Sequence, residues 1–118
     1  MDGEIGSDEL QVALESDGPP LVVDIRSPTQ FRREHISGSV IVPMHELPRQ
    51  IDRVADEDHV VTVCPHGKAS VQAAHLITSF EGFQGRVESL SCGLEGWDGE
   101  TDDSAGDSST GWSSGAPF

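Results

Sequence analysis

The sequence predicts an α/β fold, a parallel central sheet with helices on both faces. Three observations carry that expectation. Four runs of strand length, rich in Val, Ile and Leu, fall at Leu21–Ile25, Ser39–Val42, His59–Val63 and Arg86–Leu90. The segments between them place apolar residues at i, i+3 and i+4, the period of a helix with one buried face. Clusters of Gly, Pro, Ser or acidic residues separate the two kinds of segment. Strands alternating with helices at this spacing build a parallel sheet covered on both sides.

Taken in order, Ser7 caps a first helix running from Asp8 to near Glu15. Asp8 and Glu9 complement its positive end, and Leu10, Ala13 and Leu14 form its apolar face. Gly18-Pro19-Pro20 ends it ahead of the strand Leu21–Ile25. Ser27-Pro28 starts a second helix, serine at the cap and proline at the first helical position. That helix turns Phe31 inward and ends near His35-Ile36. Ser37-Gly38 leads into the strand Ser39–Val42, which stops at Pro43. Glu46 to Val54 reads as a weaker helix, with Leu47, Ile51 and Val54 on one face and Pro48 in its first turn. Asp56-Glu57-Asp58 turns the chain into the strand His59–Val63. A helical pattern follows from Val71 to Phe83, with Ala73, Leu76, Ile77 and Phe80 inward and Gly82 near its end. Arg86–Leu90 is the last strand, and Gly93 to Trp97 a short closing helix.

One domain, residues 4 to 97, is large enough to bury a core without disulfides or metal. Residues 98 to 118 are an acidic, Ser/Gly-rich tail with too little apolar surface to offset the entropy of ordering it. The net charge is -14, from 21 acidic against 7 basic residues, and only five of the acidic ones lie beyond residue 97. Such a surface makes nucleic acid a poor partner, since phosphate contacts need a basic footprint. Self-repulsion of this size suits a high-salt cytoplasm, where the Debye length shrinks to about 3 Å at 1 M salt. The plainer reading is an acidic protein of ordinary habitat. No apolar run approaches the ~18 residues of a membrane span, and the Met-Asp-Gly-Glu start lacks a basic signal region. Two cysteines make no disulfide framework, so a cytoplasmic protein with reduced thiols is the expectation.

The chemistry concentrates at Cys64-Pro65-His66-Gly67-Lys68-Ala69-Ser70. In open parallel sheets ligands sit beyond the carboxyl ends of the strands, and Cys64 lies at one such end. Loop amides and the positive end of the following helix both favour thiolate over thiol there, and the thiolate is the nucleophile. Cys92, two residues beyond Leu90, lies at a neighbouring strand end. It reads either as a thiol that resolves an oxidised Cys64 or as a small apolar filler. His66 either tunes the thiolate or faces water. Cys64 and His66 alone, one residue apart and lacking a second pair, are weak grounds for a metal site, and no cofactor is expected. Asp24, Arg26 and His35 read as a structural network. Trp97 packs the closing turn, while Trp112, in the polar tail, is either a docking residue or an isolated exposed aromatic.

Four pieces, in this order and spacing, resemble the rhodanese family of single-domain sulfurtransferases. They are Leu21-Val22-Val23-Asp24-Ile25-Arg26; Phe31 with His35-Ile36-x-Gly38-Ser39 and Pro43; Cys64-x-x-Gly67 with Ala73-Ala74-x-Leu76; and Leu90-x-x-Gly93-x-x-Gly96-Trp97. The resemblance covers most of residues 4 to 97. It implies that Cys64 takes a sulfane sulfur from a small anionic donor such as thiosulfate. The sulfur is then held as a persulfide and passed to a thiol or sulfur-carrier protein. Backbone N–H groups from Pro65 through His66, Gly67 and Lys68 to Ala69 are expected to cradle the donor, with Ser70 closing the loop and Gly67 letting it curl.

The sequence departs from the family at two places. Ala69 stands where an arginine or threonine often helps to hold the donor, and Cys92 replaces the first glycine of a Gly-Gly pair. Lys68, the one lysine, either supplies the missing cation or points into solvent. Phosphatases of the same fold need an arginine where this chain has Ser70, which argues against phosphoryl chemistry. A non-catalytic binding module that keeps the fold is the remaining alternative.

Overall fold

A computed structural model describes residues 2–103; the remaining tail, Trp112 included, lies outside the described residues. Five parallel strands form the central sheet: β1 (Asp2–Ile5), β2 (Leu21–Asp24), β4 (Val40–Ile41), β5 (His59–Val63) and β6 (Arg86–Leu90). Their spatial order is β1-β6-β5-β2-β4, which puts β5 in the middle. A separate antiparallel ribbon joins β3 (His35–Ile36) to β7 (Thr101–Asp102).

Period-two alternation along β5 sorts its side chains between two cores. Val60 packs with Val23, Val87, Ala73, Ala74 and Ile77 beneath the long helix α4 (Ala69–Ser79). Val61 and Val63 pack on the opposite face with Leu10 of α1 (Ser7–Leu14), Ile36 and Leu90. Helices therefore cover both faces, as the alternation of segments predicts. Each core buries about half a dozen or more aliphatic side chains, at roughly 1.5–3 kcal/mol apiece relative to exposure.

The second helix, α2 (Pro28–Arg33), starts as its sequence implies. Ser27 Oγ accepts from the Gln30 N–H at 3.2 Å, and Pro28 opens the first turn. It ends earlier than expected, because His35-Ile36 leave the helix to pair with β7. The first helix begins at Ser7, one residue ahead of the expected start at Asp8. Gly6 occupies the cap position, its N–H donating to Glu9 Oε1 at 3.0 Å, and the Ser7 hydroxyl instead accepts from Gln11 and from the Asp98 N–H. Met44–Gln50 forms a 3-10 turn followed by the short α3 (Asp52–Ala55), not one helix. Pro48 has no N–H to give, which breaks the α-helical ladder there. Leu47 and Val54 are nevertheless buried on one side, as the pattern predicts. The closing helix is a single 3-10 turn, Leu94–Gly96. Both β1 and β7 lie outside the expected elements, and β7 extends the described fold past residue 97.

The expected Asp24–Arg26 pairing is present. Asp24, at the end of β2, is almost wholly buried, and its carboxylate accepts from the Arg26 N–H, Nε and a terminal guanidinium nitrogen at 2.7–3.1 Å. The guanidinium also donates to the Glu34 carbonyl at 2.6 Å. His35 joins Phe31 instead, stacked on its ring, with Nδ1 2.6 Å from the Phe31 carbonyl. No helix among the described residues is long and apolar enough to cross a membrane.

Candidate active site

Cys64 follows β5 directly, and it is 2 % exposed. Pro65 to Lys68 then curls back over the sulfur before α4 starts at Ala69. Gly67 makes the curl possible: its φ is +87°, and a Cβ there would stand 2.3 Å from the Ser91 carbonyl oxygen. Only glycine has both the conformation and the room. Held this way, the Gly67 N–H donates to Cys64 Sγ at 3.0 Å, and the Ser70 N–H, in the first turn of α4, donates at 3.3 Å. Ser70 Oγ lies 3.3 Å from the same sulfur.

The other side of the loop is gripped by the turn after β6. The Leu94 N–H donates to the Cys64 carbonyl at 2.9 Å and the Glu95 N–H to the Pro65 carbonyl at 3.2 Å. Gly93 permits that approach, since a Cβ on it would fall 2.3 Å from the Pro65 oxygen. Beneath the sulfur, neighbouring strands present two buried hydroxyls toward α4. Thr62 Oγ1 donates to the Ser70 carbonyl at 2.7 Å, and Ser89 Oγ is 2.6 Å from Ser70 Oγ.

These contacts decide the charge state of the sulfur. Burial alone pushes the Cys64 thiol up, because the thiolate loses water. Against it act the Ser70 hydroxyl and the amides of Ser70, His66 and Gly67, and together they hold the thiol below its ordinary value. Over the pH interval between the two values Cys64 is a thiolate where a free cysteine is still a thiol. Cys92 moves the opposite way. Burial pushes it up, its own backbone offsets part of that, and the Asp98 carboxylate adds to the rise. Cys64 belongs to the core on the α4 face, whereas Cys92 packs against the core on the α1 face; both thiols are free. The filler reading of Cys92 fits this placement.

Of the other loop residues, Pro65 has no N–H, so the expected amide cradle lacks a donor there. What Pro65 contributes is the carbonyl that anchors the loop to Glu95. The His66 ring is mostly exposed, with Nδ1 3.7 Å from Glu95 Oε1, and its contribution to the sulfur is its backbone amide. Lys68 and Ala69 are exposed on the rim. A cavity of about 430 Å³ lies away from this loop, on the α1 side, lined in part by Leu14, Val22, Ile36 and Trp97.

A family model for the rhodanese-like domain matches residues 7–100. The chain belongs to the rhodanese-like domain family. It is 43% identical over 90 residues to a Pseudomonas fluorescens protein named thiosulfate sulfurtransferase GlpE, covering 75% of this chain and 79% of that one. A GlpE of Stutzerimonas stutzeri is 42% identical over 78 residues, 65% of this chain and 69% of the relative. Among solved structures, a rhodanese-like domain protein from Staphylococcus aureus superposes with a TM-score of 0.73 at 22% identity, over 85% of this chain and 94% of that one. That likeness bears on the fold alone.

The Cys64–Ser70 loop of this rhodanese-like domain stands out in the sequence, whereas Thr62, Ser89 and Glu95 do not. A signal existed for the first two. Thr62 and Ser89 occupy strand positions of the same parity as Val60 and Val87, so they had to face the α4 core. Polar residues at core-facing positions must find partners, and here the partner is Ser70.

Proposed function

We propose that this domain is a thiosulfate sulfurtransferase that works through a persulfide on Cys64. The observation that carries the reading is the convergence of the Gly67 and Ser70 N–H groups and the Ser70 hydroxyl on one buried sulfur. The Cys64 thiolate attacks the outer sulfur of thiosulfate. A new S–S bond forms as the old one breaks, and sulfite leaves with the bonding electron pair. The product persulfide carries the negative charge on its terminal sulfur, and the N–H groups of the loop that donate to Cys64 Sγ stabilise it. An acceptor thiolate then attacks that terminal sulfur, and Cys64 departs as the thiolate that began the cycle. The acceptor is a small thiol or a sulfur-carrier protein. A cytoplasmic setting, with salt screening the acidic surface, suits a site that depends on reduced thiols.

Two half-reactions demand ping-pong kinetics. Initial rates at several fixed thiosulfate concentrations against a varied thiol acceptor are expected to give parallel reciprocal lines. Sulfite should appear in a burst before acceptor is added. Intersecting lines, with sulfite released only in the acceptor's presence, would overturn the two-step scheme.

Lys68 sits on the rim where Ala69 offers no polar group, and we assign it the capture of the dianionic donor. Lys68→Ala is then expected to raise the KM for thiosulfate about two- to fivefold with kcat nearly unchanged, the size of one exposed charge interaction. An unchanged KM would return Lys68 to the solvent.

A further inference from the structure

We propose that Ser89, whose hydroxyl hydrogen-bonds among the described residues to Ser70 alone, is a positioning residue that aims the Ser70 hydroxyl proton at Cys64. The inference rests on Cys64 being the reacting sulfur. It begins with a proton count in a dry place. Ser70 and Ser89 are both fully buried, and their oxygens are 2.6 Å apart. Ser70 Oγ also reaches Cys64 Sγ at 3.3 Å. Among the described residues Ser89 Oγ has this one hydrogen-bond partner.

The row Ser89–Ser70–Cys64 therefore contains two contacts. With Cys64 as thiolate it contains two hydroxyl protons, one for each contact. Ser89 donates to Ser70, and Ser70 donates to the sulfur. With Cys64 as thiol there are three protons for the same two contacts, and one is left without an acceptor within the row. The direction of the row is set at its far end. Were Ser70 to donate to Ser89 instead, the Ser89 proton would be buried unpaired, a cost of the order of a lost hydrogen bond. Donation from Ser89 avoids that cost and turns the Ser70 proton toward Cys64. It also polarises the Ser70 hydroxyl and strengthens its bond to the anionic sulfur, by about 10–30% for a chained bond.

The register of the sheet makes this geometry possible. Thr62 of β5 pairs with Ser89 of β6, and both face α4, so one hydroxyl pins the Ser70 carbonyl while the other addresses its side chain. Thr62 fixes where the first turn of α4 sits. Ser89 fixes which way its hydroxyl points.

The test is the pH dependence of Cys64 alkylation by iodoacetamide, followed by mass on the Cys64 peptide so that Cys92 does not contribute. Ser70→Ala, which removes a donor to a charged sulfur, is expected to move the midpoint up by about one pH unit. Ser89→Ala should move it up by about half a unit, with about threefold less thiolate below the midpoint. In a Ser70→Ala background, Ser89→Ala should move it no further, because Ser89 acts only through Ser70. Ser89→Thr keeps the hydroxyl and should keep the parent midpoint; it also serves as the readout should Ser89→Ala fail to fold. An unshifted Ser89→Ala midpoint, an additive shift in the double variant, or a Ser89→Thr midpoint displaced as far as that of Ser70→Ala would each overturn the proposal. Sulfur loading by thiosulfate, measured on the same parent protein, separates the two questions. A parent Cys64 that takes no sulfur defeats the transfer reading, while the midpoints still decide the role of Ser89.

Discussion

Replacing Cys64 with serine is expected to lower thiosulfate turnover by at least about 10³-fold, because the proposed transfer runs through the sulfur on which these donors converge. The fold should survive the exchange, since serine is smaller than cysteine and the site already satisfies polar groups through Ser70. The chemistry does not survive. A hydroxyl ionises far above the range of a thiol, and the shorter C–O bond draws the oxygen back from amides that stand 3.0–3.3 Å from the sulfur. Cys92→Ser, by contrast, should leave turnover close to the parent value, its thiol lying with the opposite core and being raised by burial. The two rates, taken beside thermal melts that show both variants folded, check the assignment. More than a tenth of the activity remaining in Cys64→Ser would place the nucleophile elsewhere.

The second large effect concerns stability. Asp24→Ala should cost about 3–5 kcal/mol, because it strands a guanidinium whose side chain is 7 % exposed with the Glu34 carbonyl as its remaining partner among the described residues. Against a typical total of about 5–15 kcal/mol that is a severe loss. At about 4–8 °C per kcal/mol for a domain of this size, the Tm should fall by more than about 10 °C. Removing both charges is a different case. Asp24→Leu with Arg26→Met leaves no unpaired charge and should recover much of the loss. Denaturant and thermal melts of the single and double variants would show it. A single variant within about 1 kcal/mol of the parent would mean that water reaches Arg26, contrary to its burial.

The sequence makes some of these features legible and hides others, for physical reasons. The strands β2, β5 and β6 are legible because each is long enough to show the composition of a buried strand. β1 is not: Asp2-Gly3-Glu4 has no apolar alternation, and its place is set by backbone pairing of residues 2–5 with residues 87–90. β3 and β7 are two residues each, shorter than any pattern. The loop from Cys64 to Ser70 is legible as a tight connection between strand and helix, since Gly67 lets it curl and Cys64 follows an apolar strand. Its hydrogen-bonding partners are harder to see. Ser70 is conspicuous in the sequence only as the absence of an arginine, and its hydroxyl acquires meaning once α4 is known to begin at Ala69. Ser89 looks like an ordinary solvent-facing serine until the strand parity puts it beside Val87 in the core. Cys92 shows the limit from the other direction. Topology places it at a strand end neighbouring Cys64, yet the faces of the sheet assign the two sulfurs to different cores.

The most direct measurement is the intact mass of the reduced protein after incubation with thiosulfate and removal of the excess, with peptide mapping to locate any gain. A persulfide on a low-lying thiolate predicts a product heavier by one sulfur atom, mapped to Cys64, lost on treatment with a thiol and absent from Cys64→Ser. A protein that stays folded and free of adduct with thiosulfate and with other sulfane donors would contradict it, leaving a rhodanese-like domain that binds without transferring sulfur.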